Sequence, residues 1–239
     1  MANYQLSDVL EYRVRSHINI YDSPKCDRLA TQAAAGRHLR IVDRPLIDDE
    51  RGVNFETTAV MVRLCEDDYP GWLDIRDVEL LDVADTFYHR EIFSEAEIRA
   101  KLPTVIDFAH QAMKQSNYYL WGGTVAPNYD CSGLMQAAFL SANIWLPRDA
   151  YQQEAFTNPI SISDLEPGDL VFFGTPQKAT HVGLYLGDNR YIHSSGKEQG
   201  RNGIGIDVLS EDGDKVSQIY YRQLRGCGKV VASYQSGNC

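Results

Sequence analysis

The stretch NYDCSGLMQAAF, residues 128–139, places a carboxylate, a thiol and a hydroxyl directly before a run of helix-forming residues. A catalytic cysteine needs partial exposure, a lowered pKa and a base within hydrogen-bond reach. The unpaired N–H groups at a helix start favour a thiolate and can hold a developing oxyanion. Cys131 is therefore a candidate nucleophile. The alternatives are that Cys131 is a buried, inert cysteine and that Asp130 is an ordinary helix cap.

Two histidines later in the chain could supply the base. His181 and His193 lie at or near the ends of two neighbouring predicted strands, which the turn GDNR connects. Side chains alternate along a strand, so a regular turn would put these two on opposite faces. One β-bulge, at Gly183 or Gly187, would return them to a common face. The sequence leaves this choice open.

Composition excludes several classes of function. The net charge of -10 argues against nucleic acid as a partner. No apolar run approaches the roughly 18 residues of a membrane-spanning helix, so no membrane partner is expected. The five cysteines lack C-x-x-C spacing, which indicates neither a disulfide framework nor a zinc site, and we expect no cofactor and no metal. Charged residues interrupt the start where a secretory signal would be apolar, so we expect a reducing, cytoplasmic location.

The distribution of predicted elements gives an α+β fold class. Residues 1–85 are predicted to form short strands in a small all-β barrel, 86–100 a linker, and 101–239 helices packed on an antiparallel sheet. Ser94 and Glu97 predict a capping box, and Pro103 is expected to begin a second helix. The late segments GIDVLS, SQIYYRQL and GKVVASY are predicted as strands, and no chemistry is assigned to them.

Six motifs occur in order over residues 101–196: YYLWGG, YDCSGL, LPRDAYQQ, LEPGDLVFF, HVGLYLG and YIHSSG. They resemble the NlpC/p60 family of cysteine peptidases, which have a papain-like fold. The resemblance implies that Cys131 is the nucleophile, His181 the general base and later acid, and His193 the polar group that orients His181. It also implies that Tyr119 contacts the substrate or the oxyanion. An aromatic ring packed at the end of the preceding helix is the equal alternative for Tyr119.

The resemblance further implies a substrate. The family attacks bacterial cell-wall peptides, typically between γ-D-glutamyl and a diamino acid such as meso-diaminopimelate. The N-terminal barrel resembles a bacterial SH3-like domain through GWLDIRDVELLD, and such a barrel can close the cleft so that only peptides with a free N-terminal L-Ala fit. By the resemblance Asp130 and Ser132 receive the amine. Tyr69 is the candidate for the barrel's contribution, with a surface turn tyrosine as the alternative.

The leading hypothesis is a cytoplasmic γ-D-glutamyl-L-diamino acid endopeptidase that trims murein peptides for recycling. Its partner would be the peptide L-Ala-γ-D-Glu-diaminopimelate, and the oligomeric state is left open. Three alternatives remain: a secreted or wall-remodelling peptidoglycan hydrolase, a catalytically inactive protein that binds wall peptides, and an amidase or acyltransferase that uses the same thiol.

Overall fold

The computed structural model describes residues 10–43 and 58–235. Their contacts divide the chain into two compact units, the first ending at His89 and the second running from Arg90 to Gln235. The predicted limits of the barrel, the linker and the peptidase domain stay a prediction. No helix within the described ranges is both long and apolar enough to cross a bilayer.

The described residues of the first unit form seven strands, which pair antiparallel in the order β3-β2-β6-β5-β4-β1-β7. The strands are β1 (Glu11–Val14), β2 (Ile18–Tyr21), β3 (Leu29–Ala33), β4 (His38–Asp43), β5 (Ala59–Leu64), β6 (Pro70–Asp74) and β7 (Leu81–Val83). Val60, Val62 and Leu64 alternate with less buried neighbours along β5, so one face of the sheet forms an apolar core. The predicted SH3-like all-β region is confirmed.

The second unit is built from helices and a separate antiparallel sheet. Its helices are α1 (Glu95–Lys114), α2 (Cys131–Leu140), α3 (Ala150–Phe156) and α4 (Lys215–Tyr221). Its strands are β8 (Thr124–Val125), β9 (Asn128–Tyr129), β10 (Asn158–Ile160), β11 (Leu170–Gly174), β12 (Ala179–Gly187), β13 (Arg190–Ser195), β14 (Gly203–Val208) and β15 (Leu224–Lys229). The main sheet has the order β10-β15-β11-β12-β13-β14, and the α+β fold class is confirmed.

Helix α1 begins as the sequence predicts but does not break where expected. The N–H of Ser94 donates to the Glu97 carboxylate at 2.7 Å and the Glu97 N–H donates back to the Ser94 hydroxyl, so the capping box is present. The prediction that Pro103 starts a second helix is wrong. The buried stripe of Ile98, Val105, Ala109 and Ala112 continues across it, and Pro103 itself is exposed. The carbonyl that loses a donor there can therefore be solvated.

Helices cover both faces of the main sheet. Leu170 and Phe172 of β11 face the core that α1 and α2 complete, whereas Val171 and Phe173 face the core that α4 completes. The predicted strand SQIYYRQL is wrong, because this segment is mostly the helix α4. The Asp214 carboxylate caps α4 by accepting from the Ser217 N–H at 2.9 Å.

The remaining late segments have mixed outcomes. GIDVLS lies mostly within β14, as predicted. GKVVASY is mostly wrong as a strand, because β15 ends at Lys229.

Candidate active site

Cys131 is the first residue of α2, and the preceding loop holds this helix start in place. The Asp130 carboxylate caps the helix by accepting from the Gly133 N–H at 2.7 Å. A side chain at residue 133 would collide with the carbonyl oxygen of Gly123, so the two backbones pack directly on each other. The Asp130 N–H also donates to the Gly123 carbonyl at 3.1 Å. A Cβ at residue 123 would lie 2.5 Å from the Asn128 carbonyl oxygen, so this close approach requires glycine at residue 123 as well as at residue 133.

The Cys131 side chain is buried, with 6% of its surface exposed. The sulfur accepts from the backbone N–H groups of Ser132 and Val182. Burial and, secondly, the Asp130 carboxylate raise the pKa of the thiol to about 12, and the two N–H groups and the Arg148 charge offset them only in part. The lowered pKa expected from the helix terminus is therefore wrong. The resting sulfur is therefore a neutral thiol, which would act as a nucleophile only after a base had removed its proton.

A bulge in the β12–β13 hairpin brings the two predicted histidines together. Leu184 pairs with Ile192, but the register shifts by one residue between Tyr185 and Gly187. This shift places Gly183 opposite His193, so that His181 and His193 share a face. Their Nε2 and Nδ1 atoms lie 2.6 Å apart. A bulge at Gly187, one of the two positions that the sequence allowed, is confirmed.

Both imidazoles are neutral in this environment. His181 is 6% exposed and His193 is fully buried. Burial, and secondly the neighbouring His193, lower the pKa of His181 well below its usual 6.5. The Val182 N–H that donates to the Cys131 sulfur belongs to the residue next to His181, so the thiol meets β12 at the candidate base.

A buried carboxylate, which the sequence analysis missed, follows the second histidine. His193 Nε2 lies 2.6 Å from the Oδ2 of Asp207 on β14, and the Arg201 guanidinium donates to both oxygens of the same carboxylate. Burial would raise the pKa of Asp207, but the hydrogen bonds from His193 and Arg201 outweigh it and lower the pKa. The sequence did contain a signal for this residue, because Asp207 is the one charged residue in the segment GIGIDV. A carboxylate that is buried within such a strand must be paired.

Tyr220 of α4 was also missed, because its segment was predicted as a strand. Its ring stacks on the His181 imidazole with a centroid distance of 4.2 Å and an interplanar angle of 23°. The Tyr220 hydroxyl lies 2.7 Å from the Ser195 hydroxyl. The His181 ring therefore packs on one flat, anchored aromatic face.

The Asp130 carboxylate is already paired with an internal cation. Arg148, which is 2% exposed, donates to its two oxygens at 2.6 and 3.2 Å. Arg148 also donates to the Ser132 hydroxyl at 3.0 Å, and the Gly122 N–H donates to Asp130 at 2.9 Å. Asp130 and Ser132 thus lie together beside Cys131, within a buried ion pair. Their predicted part in binding a substrate amine stays a prediction.

The two predicted tyrosines lie in different units. Tyr119 is partly buried, and burial, then the nearby Cys131 and Asp130, raise its pKa, which places its hydroxyl near both groups. Tyr69 packs on the barrel core, and its N–H donates to the Asp67 carboxylate at 3.2 Å. The functional parts predicted for both stay predictions.

The second unit therefore joins a thiol at a helix start to neutral imidazoles, a combination suited to nucleophilic acyl transfer. Over residues 10–43 and 58–235, no three or more His, Cys, Asp or Glu side chains are grouped to hold a metal ion.

Comparison with known proteins matches both units. Residues 116–223 match the NlpC/P60 family and residues 20–78 the bacterial dipeptidyl-peptidase Sh3 domain. A bifunctional muramidase/DL-endopeptidase of Bacillus subtilis is 40% identical over 99 residues, 38% of this chain and 30% of the relative. A gamma-DL-glutamyl hydrolase of the same species is 39% identical over 98 residues, 40% of this chain and 23% of the relative. The chain thus matches less than a third of the length of either relative.

A solved NlpC/P60 family protein from Bacillus cereus aligns over 93% of this chain and 64% of its own. The TM-score of that alignment is 0.49 and the sequence identity is 21%.

Proposed function

We propose that the second unit, whose residues 116–223 match the NlpC/P60 family, is a cysteine peptidase that hydrolyses amide bonds in peptidoglycan peptides. One observation carries the proposal: a thiol at the start of α2 meets β12 beside a histidine that is hydrogen-bonded to a second histidine. An inert buried cysteine would have no need of that arrangement.

The reaction follows from which atoms are free. His181 Nε2 is engaged by His193, so His181 Nδ1 is the atom left to take the proton of the Cys131 thiol. The sulfur then bonds to the amide carbon, and the carbonyl oxygen becomes an oxyanion near the start of α2. His181 returns its proton to the departing amine as the C–N bond breaks. Water, deprotonated by His181, next attacks the thioester, and the sulfur leaves with a proton.

The neutral resting state of the Cys131 thiol and the His181 imidazole suits this order of events. The pKa of the thiol is raised to about 12 and the pKa of His181 is lowered, so a resting thiolate–imidazolium pair is disfavoured. Charge separates only when the substrate carbonyl arrives to accept electron density from the sulfur. His193 stabilises the imidazolium that forms on His181 during the attack.

We extend the proposal to the bond between γ-D-glutamyl and meso-diaminopimelate in peptides with a free N-terminal L-Ala. The names of the two relatives, a DL-endopeptidase and a gamma-DL-glutamyl hydrolase, support this class of bond. Asp130, Ser132 and Tyr119 lie beside the nucleophile, where the amine end of such a peptide would arrive. Because Arg148 already pairs with Asp130, the ammonium would share this carboxylate rather than meet an unpaired charge.

Recycling of murein peptides in the cytoplasm is part of the same proposal. The cysteines at positions 26, 65, 131 and 227, all within the described residues, form no disulfide bond with one another, as is usual in a reducing compartment. Cell fractionation with an antibody against the chain tests this location, and recovery of the protein outside the cytoplasmic membrane would favour the wall-hydrolase alternative.

Cleavage of L-Ala-γ-D-Glu-meso-diaminopimelate, followed by chromatography of the products, tests the reaction. We expect Cys131→Ala to abolish cleavage and Cys227→Ala, at another buried thiol, to retain it. An active Cys131→Ala variant would exclude the mechanism. Binding without cleavage by the unaltered protein would favour the inactive binding protein. Equal rates on the free and the N-acetylated tripeptide would exclude a pocket for the amine.

A further inference from the structure

The geometry points to Asp207, held by Arg201, as a positioning residue that selects the proton arrangement of His181 through His193. This inference rests on the proposed function and adds to the site a carboxylate that contacts the orienting histidine, one imidazole beyond the proposed base His181. Asp207 is 2% exposed on β14, and its Oδ2 lies 2.6 Å from His193 Nε2. It does not touch the thiol, so any effect on the reaction passes through the two rings.

The ionised Asp207 carboxylate determines which nitrogen of His193, and then of His181, carries a proton. An ionised carboxylate can only accept hydrogen bonds, so His193 Nε2 carries the proton. A neutral His193 then has a lone pair on Nδ1, which accepts from His181 Nε2–H at 2.6 Å. A neutral His181 is thereby left with its lone pair on Nδ1. This is the nitrogen that must receive the proton of Cys131.

Without the carboxylate, the same two rings could hold the opposite arrangement. His193 Nδ1–H would donate to His181 Nε2, and the proton of His181 would sit on Nδ1. A protonated Nδ1 cannot act as a base towards the thiol. The contact between the two histidines is equally satisfied in both arrangements, so the choice must come from a third group.

Arg201 keeps this third group ionised in a buried place. Its guanidinium donates to both oxygens of Asp207, with Nε at 3.0 Å from Oδ2. The Arg201 side chain is 26% exposed, so the charge is partly solvated while the carboxylate is not. An aspartate in this position without a cation would tend to take up a proton itself.

The groups around His193 come from several elements. They are His181 of β12, Tyr191 of β13, Asp207 of β14, Arg201, Asp214 before α4 and Tyr220 of α4. Burial, and also Arg201, lower the pKa of His193, whereas Asp207 and Asp214 raise it. The net result is a lowered pKa, which keeps His193 neutral and able to accept from His181.

A purely structural ion pair is the competing explanation, and nuclear magnetic resonance distinguishes the two. In the ¹⁵N-labelled chain, long-range ¹H–¹⁵N spectra report which ring nitrogen carries the proton. We expect Nε2–H for both His181 and His193 in the unaltered protein. Nδ1–H on His181 would overturn the inference without any mutation.

Asp207→Ala removes the acceptor, and Asp169→Ala is its matched control. Asp169 is 1% exposed in the same unit, and its carboxylate accepts from the Glu166 N–H rather than from an imidazole. We expect Asp207→Ala to lower kcat by about 10²-fold with KM unchanged, less than the ~10⁴-fold reported for an aspartate bonded directly to the base in serine peptidases. The spectrum of His181 in Asp207→Ala is expected to show mixed tautomers. Asp169→Ala is expected to change neither kcat nor the His181 spectrum.

Arg201→Gln gives a second test, which keeps the Asp207 side chain but removes the cation that holds it ionised. Loss of the guanidinium raises the pKa of His193, so the acid limb of kcat against pH is expected to move to higher pH. A protonated His193 has no lone pair to offer His181. An unmoved acid limb, or a kcat within about three-fold of the unaltered protein for Asp207→Ala, would overturn the inference. Should the unaltered protein cleave no peptide, the proposed function fails while the spectra still decide the tautomers.

Discussion

Replacement of Arg148 by methionine tests how the nucleophile's helix is held. Arg148 and Asp130 are both buried, and the substitution removes the donors at 2.6 and 3.2 Å from the carboxylate. The Ser132 hydroxyl also loses a donor at 3.0 Å. Methionine keeps most of the apolar volume of the arginine stem, so the main change is the loss of the charge and its hydrogen bonds.

The expected cost follows from what remains around Asp130. Breaking one side of a buried ion pair typically costs about 3–5 kcal/mol, because the other charge is left uncompensated. Asp130 retains the N–H groups of Gly122 and Gly133 at 2.9 and 2.7 Å, so we expect a loss near the lower end, about 3 kcal/mol of unfolding free energy. The pKa of the Cys131 thiol is expected to rise further, since Arg148 lowers it.

The assay is urea unfolding, with Arg225→Met as the control. Arg225 pairs with Glu154 at 2.9 and 3.2 Å, but these side chains are 21% and 27% exposed. For such a pair we expect a loss of at most about 1 kcal/mol. The rate of Cys131 alkylation against pH reports the thiol pKa in the same proteins.

A double variant separates the charge from the packing. Asp130→Ser in the Arg148→Met background removes the stranded carboxylate and leaves a hydroxyl that can still cap α2. We expect the double variant to be more stable than Arg148→Met alone. If Arg148→Met costs no more than Arg225→Met, or if the double variant is the less stable of the two, the ion-pair reasoning is refuted.

Two further outcomes are expected. A Cβ at Gly183 would lie 2.6 Å from Tyr191 Cδ2, and the Tyr191 ring packs on His193 with a centroid distance of 4.9 Å. Gly183→Ala is therefore expected to shift Tyr191 against the His193 ring and lower kcat about 10²-fold, whereas Gly226→Ala, with open space around it, is expected to keep activity. Equal activities would contradict this. The pKa values of His181 and His193 in the folded protein lie below the value of 6.5 expected in the unfolded chain. The two neutral histidines therefore contribute their whole share of the unfolding free energy above pH 6.5. Below that pH the unfolding free energy is expected to fall by up to about 1.4 kcal/mol per pH unit for each histidine. Urea unfolding from pH 7 to 5 measures this, and a slope no shallower in His181→Gln would count against it.

Local sequence was enough to predict the helix that begins at Cys131, although not the raised pKa of its thiol. The cap at Asp130, the helix that begins at Cys131 and the capping box at Ser94 depend on contacts between residues three or fewer positions apart. The α+β class and the all-β first unit also follow from local periodicity. Pro103 misled the prediction, because burial of a stripe on both sides of it outweighs the loss of one hydrogen bond.

The tertiary structure alone decided which groups lie next to His181, the proposed base. Whether His181 and His193 share a face depends on a single register shift before Gly187, and alternation in sequence permits either outcome. Asp207 reaches His193 only because β14 pairs with β13. Tyr220 reaches His181 only because a segment with strand-like composition folds as the helix that covers this face of the sheet. The sequence alone determined the thiol and its helix, whereas long-range strand pairing decided which imidazole, carboxylate and guanidinium lie next to His181, the proposed base, and to His193.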